Sequence, residues 1–243
     1  MLHVTSTIMG TSVAEETFAR LLPMFPLRSW FYYALDANRA QEAPCYYEFG
    51  VGLGGTVTMY IDALKAFCRE TKRNIHDCSI YLFDSFQGLP EKMDYRDEHP
   101  DWAQGSFSSS VKEIKNLLTR KGLRPDSSSI HFIEGFYERS LTSMLRDSLR
   151  SCPPTIVTVE VDYFSSTKTL LEWLRPLLHE GTLFYFDDIW AFGGDPKRGE
   201  LAAIREFNEA GKGTLVPCHW FGHPSIWNRI FAYWRKENDH EES

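Results

Sequence analysis

Nowhere in the 243-residue chain do about 20 apolar residues follow one another, as a membrane-crossing helix requires, so no membrane partner is expected. The opening stretch MLHVTSTIMGTSVAEETF lacks a basic segment followed by an apolar core, so no secretory leader is expected either. Cysteine is sparse and unpatterned. Cys45, Cys68, Cys78, Cys152 and Cys218 are odd in number, and no two have the two-residue gap of a zinc or redox motif. Reduced, mostly buried thiols in a cytoplasmic protein are expected. Positive charge is also short: 26 Lys and Arg against 33 Asp and Glu leave a net charge of −7. The chain therefore lacks the overall basic footprint of a nucleic-acid binder, although a local patch stays open. There is no internal repeat and no low-complexity linker. With 43% hydrophobic and 24% charged residues the composition is that of a globular chain, which excludes disorder and fibrous architecture.

Five short runs read as buried strands: CYYEFG (45–50), SIYLFD (79–84), SIHFIEG (129–135), TIVTVEVD (155–162) and TLFYFDD (182–188). Their near-continuous apolar character suits parallel strands covered on both faces. Between them, Thr56 to Thr71, Val111 to Lys121 and Thr167 to His179 carry apolar residues at helical spacing. Strands alternating with helices predict an α/β, Rossmann-like doubly wound sheet. Residues 199–210 read as a helix, followed by two closing strands in GTLVPCHWF and SIWNRIFAYWR, possible partners in a hairpin. About seven strands result, mostly parallel, with the last antiparallel. Residues 1–40 read as a helical cap with Thr11 or Ser12 as N-cap, and residues 41–243 as the main domain, forming one unit with the cap. The aromatic run Trp30-Phe31-Tyr32-Tyr33 suits docking of that cap or of a second subunit. Residues 90–105 have no periodicity and read as a mobile lid loop. Within it, Trp102 either closes over a ligand or anchors the loop.

The first strand runs into YEFGVGLGGT. Gly50, Gly52, Gly54 and Gly55 allow a tight turn and close backbone approach by a ligand, and a helix then starts near Gly55 or Thr56 with free amides that favour negative groups. The second strand ends in Asp84, placed either to accept hydrogen bonds from the two hydroxyls of a ribose or to cap a turn. The turn lacks the final glycine spacing of the dinucleotide fingerprint, which counts against NAD.

Strand four ends in Glu160 and Asp162, two apart and so on one face, and strand five ends in Asp187-Asp188. Ends of neighbouring strands line the ligand crevice of an open sheet. Four carboxylates gathered there repel one another, so protonation or a cation must offset them. An all-oxygen site of this kind suits Mg²⁺. His219 and His223, in PCHWFGHP, are four apart, but the surrounding Pro, Gly and aromatic residues argue against the helix that would make a metal pair of them. His219 is retained as an acceptor-pocket or alternative-base candidate.

The segments Glu48-Phe-Gly-Val-Gly and FDSFQGLPE (83–91) resemble class I S-adenosylmethionine-dependent methyltransferases, and more narrowly the macrocin O-methyltransferase-like (TylF-type) family. Trp102 with GSFSSSVKEIKNLL (105–118), IHFIEGFYERSL (130–141), VDYFSSTKTLLEWLRPLL (161–178), GTLFYFDDIW (181–190) and FAYWRK (231–236) continue the resemblance over roughly residues 40–236. The resemblance implies that Glu48 and the glycine backbone hold the methionine part of S-adenosylmethionine. Asp84, Ser85 and Phe86 would hold ribose and adenine, with Gly135 and Phe136 shaping the adenine pocket. It further implies Glu160, Asp187 and Asp188 as ligands of Mg²⁺ and Asp162 as general base. Glu160 stands where that family has Asp, so the metal shifts, Asp162 takes over as ligand, or the metal site is lost. The expected function is a magnesium-assisted O-methyltransferase acting on a hydroxyl of a sugar or another small natural product, as a homodimer or higher homo-oligomer. An NAD-dependent oxidoreductase and a non-catalytic nucleoside-binding relative are the alternatives.

Overall fold

β-Branched and aromatic residues fill the predicted strands, and in the computed structural model each of them forms. The structure describes residues 24–41, 43–211, 213–218 and 229–236. Its strands are β1 (Cys45–Phe49), β2 (Ser79–Asp84), β3 (Ile130–Glu134), β4 (Ile156–Val159), β5 (Leu183–Phe186), β6 (Gly213–Pro217) and β7 (Ile230–Arg235). They make one seven-stranded sheet in the order β3-β2-β1-β4-β5-β7-β6. The first five strands are parallel. β7 runs antiparallel between β5 and β6. The mostly parallel, doubly wound sheet is thus as predicted, and the hairpin reading of the last two strands holds.

The helices are α1 (Met24–Ala37), α2 (Gly55–Thr71), α3 (Val111–Arg120), the short α4 (Tyr137–Ser140) and α5 (Ser143–Ser148), α6 (Phe164–Leu174) and α7 (Gly199–Ala210). Alternation along β1 divides the core. Tyr46 packs with residues of α1, α2 and α3 on one face of the sheet, while Tyr47 and Phe49 pack with α6 and α7 on the other. Tyr46 stacks on Tyr60 of α2 at 3.8 Å, and Phe31 meets both rings edge-on. Trp30 lies 5.8 Å from Tyr185, so this part of the aromatic run docks the cap helix onto the sheet. The Thr11 or Ser12 cap and the pair His219 and His223 fall outside the described residues.

Three boundaries differ from expectation. β4 stops at Val159, so Glu160 and Asp162 lie in a turn beyond the strand, and Asp162 takes a left-handed backbone (φ 61°). Strand alternation therefore does not set their directions. α6 begins at Phe164 and gives way to a tighter single turn at Arg175–Leu177, because Pro176 has no amide to continue the helix. Residues 90–105 are tied down rather than loose: across the base of the segment the Leu89 amide donates to the Ser106 carbonyl and the Gly105 amide to the Leu89 carbonyl, and a short turn forms at Tyr95–Asp97.

One expectation about cysteine is corrected. Cys45 at the start of β1 and Cys152 before β4 form a disulfide, with Cα atoms 6.1 Å apart, while Cys68, Cys78 and Cys218 are free and buried. The two strands are neighbours, so residues 107 apart in sequence meet; spacing rules could not show this. Among the described residues no helix is long and apolar enough to cross a membrane.

Candidate active site

At the carboxyl ends of β1, β2 and β4 the sheet opens into a cleft. Its wall combines the glycine turn (Gly50, Gly52), Asp84 at the end of β2 and Ser85 after it, Gly135 and Phe136 after β3, and Glu160 and Asp162 after β4. These eight are sequence-predicted site residues, and the fold brings them together.

The glycine turn is close because Gly50 has no side chain. A Cβ there would strike the backbone carbonyl of Glu160, and φ is +81°. Asp84 does two jobs at this turn. Its Oδ2 accepts from the amides of Val51 (2.7 Å) and Gly52 (3.0 Å), and its Oδ1 accepts from Phe86 N (2.7 Å). The cap reading of Asp84 is therefore realised, and these two turn amides point at Asp84. Asp84 lines the cleft, and Oδ1, with one donor, has capacity for a second.

Other predicted residues sit behind the wall. Glu48 is fully buried on the α2 side of β1. Tyr46 donates to its Oε2 at 2.5 Å, and Oε1 has no partner. Burial pushes its carboxyl up to about 8, against the hydrogen bond from Tyr46. Thr56 donates from Oγ1 to Glu160. Gly54 and Gly55 shape the start of α2 but do not line the cleft. The Phe86 ring packs toward Phe132 and the core instead of the cleft. Trp102 is buried with Leu89 and Tyr163, the anchoring alternative for the loop.

The four carboxylates after β4 and β5 are neighbours, yet they face different partners. Glu160 accepts from Thr56. Asp187 accepts at Oδ1 from Tyr185 OH (2.5 Å) and from Arg229 Nη1 (2.6 Å). Asp162 and Asp188 are close enough to act on each other's protonation. Burial, and then the charge of Asp187, raises Asp162; burial, and then Asp162, raises Asp188. A fifth carboxylate joins them. Glu200, in the first turn of α7 and 1% exposed, accepts the Asp188 amide at 3.0 Å, with Oε1 unpartnered. Burial followed by Asp188 and Asp187 holds it well above the usual carboxylate range. Among the described residues no three His, Cys, Asp or Glu side chains converge in a way that could hold a metal. The implied ligands Glu160, Asp187 and Asp188 are thus not brought to one point.

Sequence reasoning missed Glu200, Arg229 and Phe107. Glu200 had a signal: it shares the spacing of Ala203, Ile204 and Phe207 on the buried face of α7. Phe107 lines the cleft while 61% exposed, in a left-handed backbone (φ 63°) rare for a bulky residue.

The family model for macrocin-O-methyltransferase (TylF) matches residues 36–214. Among solved structures, the calicheamicin methyltransferase CalS11 superposes with a TM-score of 0.64 at 19% identity, over 94% of this chain and 88% of that one. The O-methyltransferase NovP does so with a TM-score of 0.57 at 17% identity, over 88% and 78%. At such identities the likeness to these two is one of fold. No curated protein matches the chain.

Proposed function

Since the chain belongs to the macrocin O-methyltransferase (TylF) family and is a methyltransferase, we propose that its cleft binds S-adenosylmethionine and methylates a hydroxyl of a sugar or another small natural product. The observation that carries this reading is the open cleft between the glycine turn and Asp162. When bound, the donor supplies an electrophilic methyl group on a sulfonium.

The residues fit such a ligand. The bare backbone of Gly50 and Gly52 admits close approach of its methionine end, and Asp84 Oδ1 has capacity for a ribose hydroxyl. Ser85, Gly135 and Phe136 form the wall beside Asp84, where a base would lie. Glu48 and Thr56 support the turn from behind instead of touching the ligand. Asp162 is the general base: it lines the cleft and accepts the acceptor hydroxyl's proton as the new C–O bond forms and the methyl–sulfur bond breaks, the donor leaving as a neutral thioether. Holding acceptor and donor in one walled cleft supplies orientation, the other large contribution to rate. Magnesium is implied by the resemblance, but among the described residues the three carboxylates meant for it do not converge on one point, so no step is routed through a metal.

Thermal-shift titrations with S-adenosylhomocysteine and with NAD test the donor. S-adenosylhomocysteine is expected to raise Tm in a saturable way and NAD to leave it unchanged. The reverse pattern would replace this reading with the oxidoreductase one.

A further inference from the structure

We propose that Arg229 is the resident cation of the carboxylate cluster, and that its guanidinium takes the place a divalent metal would need beside Asp187. The inference rests on reading the cleft as a methyl-transfer site, since only that reading calls for a metal there.

The sheet itself delivers Arg229. β7 pairs antiparallel with β5 through Leu183↔Ala232, Phe184↔Phe231 and Tyr185↔Ile230, so the residue just before β7 arrives at the end of β5, where Asp187 begins. Its Nη1 lies 2.6 Å from Asp187 Oδ1 and 3.4 Å from Tyr185 OH. Tyr185 OH donates to the same oxygen at 2.5 Å. Both neutral and cationic donors thus converge on the Asp187 oxygen that a metal would compete for. A guanidinium keeps its charge at every pH the fold experiences, so the arrangement does not depend on protonation.

Of the other implied ligands, Glu160, one methylene longer than Asp, accepts from Thr56 at the start of α2, and Asp188 feels the charges of Asp162 and Asp187. Arg229 is a positioning residue: it fixes Asp187 and Tyr185 beside the Asp162–Asp188 pair and offsets charge that a dication would otherwise offset.

Manganese titration of the full chain, followed by the paramagnetic resonance signal of free Mn²⁺, tests this. The wild-type chain is expected to show no saturable site up to about 1 mM Mn²⁺. Arg229→Ala is expected to gain one site per chain, at least about tenfold tighter, and Asp187→Asn added to it is expected to abolish that site. A saturable wild-type site lost in Asp187→Asn alone would overturn the proposal, and so would an Arg229→Ala chain that unfolds cooperatively yet gains no site. If Arg229→Ala does not fold, Arg229→Gln replaces it, and the wild-type titration needs no variant. S-adenosylhomocysteine binding is read separately on the same wild-type sample. Its failure strikes the methyl-donor reading, whereas Mn²⁺ binding strikes only the assignment of Arg229.

Discussion

At Gly52 a Cβ would meet no atom within 4 Å, so an added methyl group projects into open space at the cleft wall instead of into the protein. Gly52→Ala is therefore expected to fold, at a cost of about 1–2 kcal/mol for its left-handed backbone. It should lose about tenfold or more in affinity for S-adenosylhomocysteine, measured by calorimetry. Gly50→Ala meets the Glu160 carbonyl and is expected to yield little folded protein. Glu48 supplies a pH dependence. Its carboxyl moves from 4.5 to about 8 on folding, so the folded chain binds a proton that the unfolded chain gives up. Its contribution to stability is complete below about pH 4.5 and is lost as pH rises through 8. Tm is expected to fall between pH 5 and pH 8.5, and Glu48→Gln to flatten that slope; an unchanged slope would contradict a buried protonated Glu48. The glycines, Asp84 and the four strand-end carboxylates were readable from sequence because turn chemistry and strand-end position mark such residues. Arg229 was not readable, because only the β5–β7 register places it against Asp187.

Among the elements, the segment 90–105 shows how tertiary contacts replace a missing periodicity. Asp97 is 0% exposed; its Oδ2 accepts from Met93 N (3.1 Å) and Asp94 N (3.0 Å), and its Oδ1 from Ser165 N in the first turn of α6 (2.9 Å). One residue away, Arg96 bridges Asp94 and Glu206 of α7, with its guanidinium 3.4 Å from the centre of the Phe164 ring. Asp97→Ala leaves three amides without their acceptor and is expected to cost about 1–3 kcal/mol. Hydrogen exchange should accelerate across 90–105 before it does in the sheet, and uniform acceleration everywhere would show that Asp97 supports the whole fold instead. Helix starts at Val111 and Gly199 were legible from periodicity. The end of β4 was not, because the apolar run continues through Val161 while the backbone turns at Asp162.

For the molecule as a whole, the parallel sheet was legible because apolar runs alternate with amphipathic helices, whereas the pairing of Cys45 with Cys152 depends on which strands become neighbours. Five cysteines with one disulfide leave three thiols, Cys68, Cys78 and Cys218, so thiol titration after denaturation without reductant is expected to find three. Reduction is expected to lower stability by about 2–5 kcal/mol, since the bond closes a long loop. A count of five would show that the thiols stay reduced, as in most cytosolic proteins.

The most direct measurement is a crystal structure of the chain soaked with S-adenosylhomocysteine. The ligand should lie between Gly52 and Asp84 with its sulfur turned toward Asp162. Density for it anywhere else, with protein side chains filling the space beside Asp84, would contradict a methyl-transfer cleft at this end of the sheet.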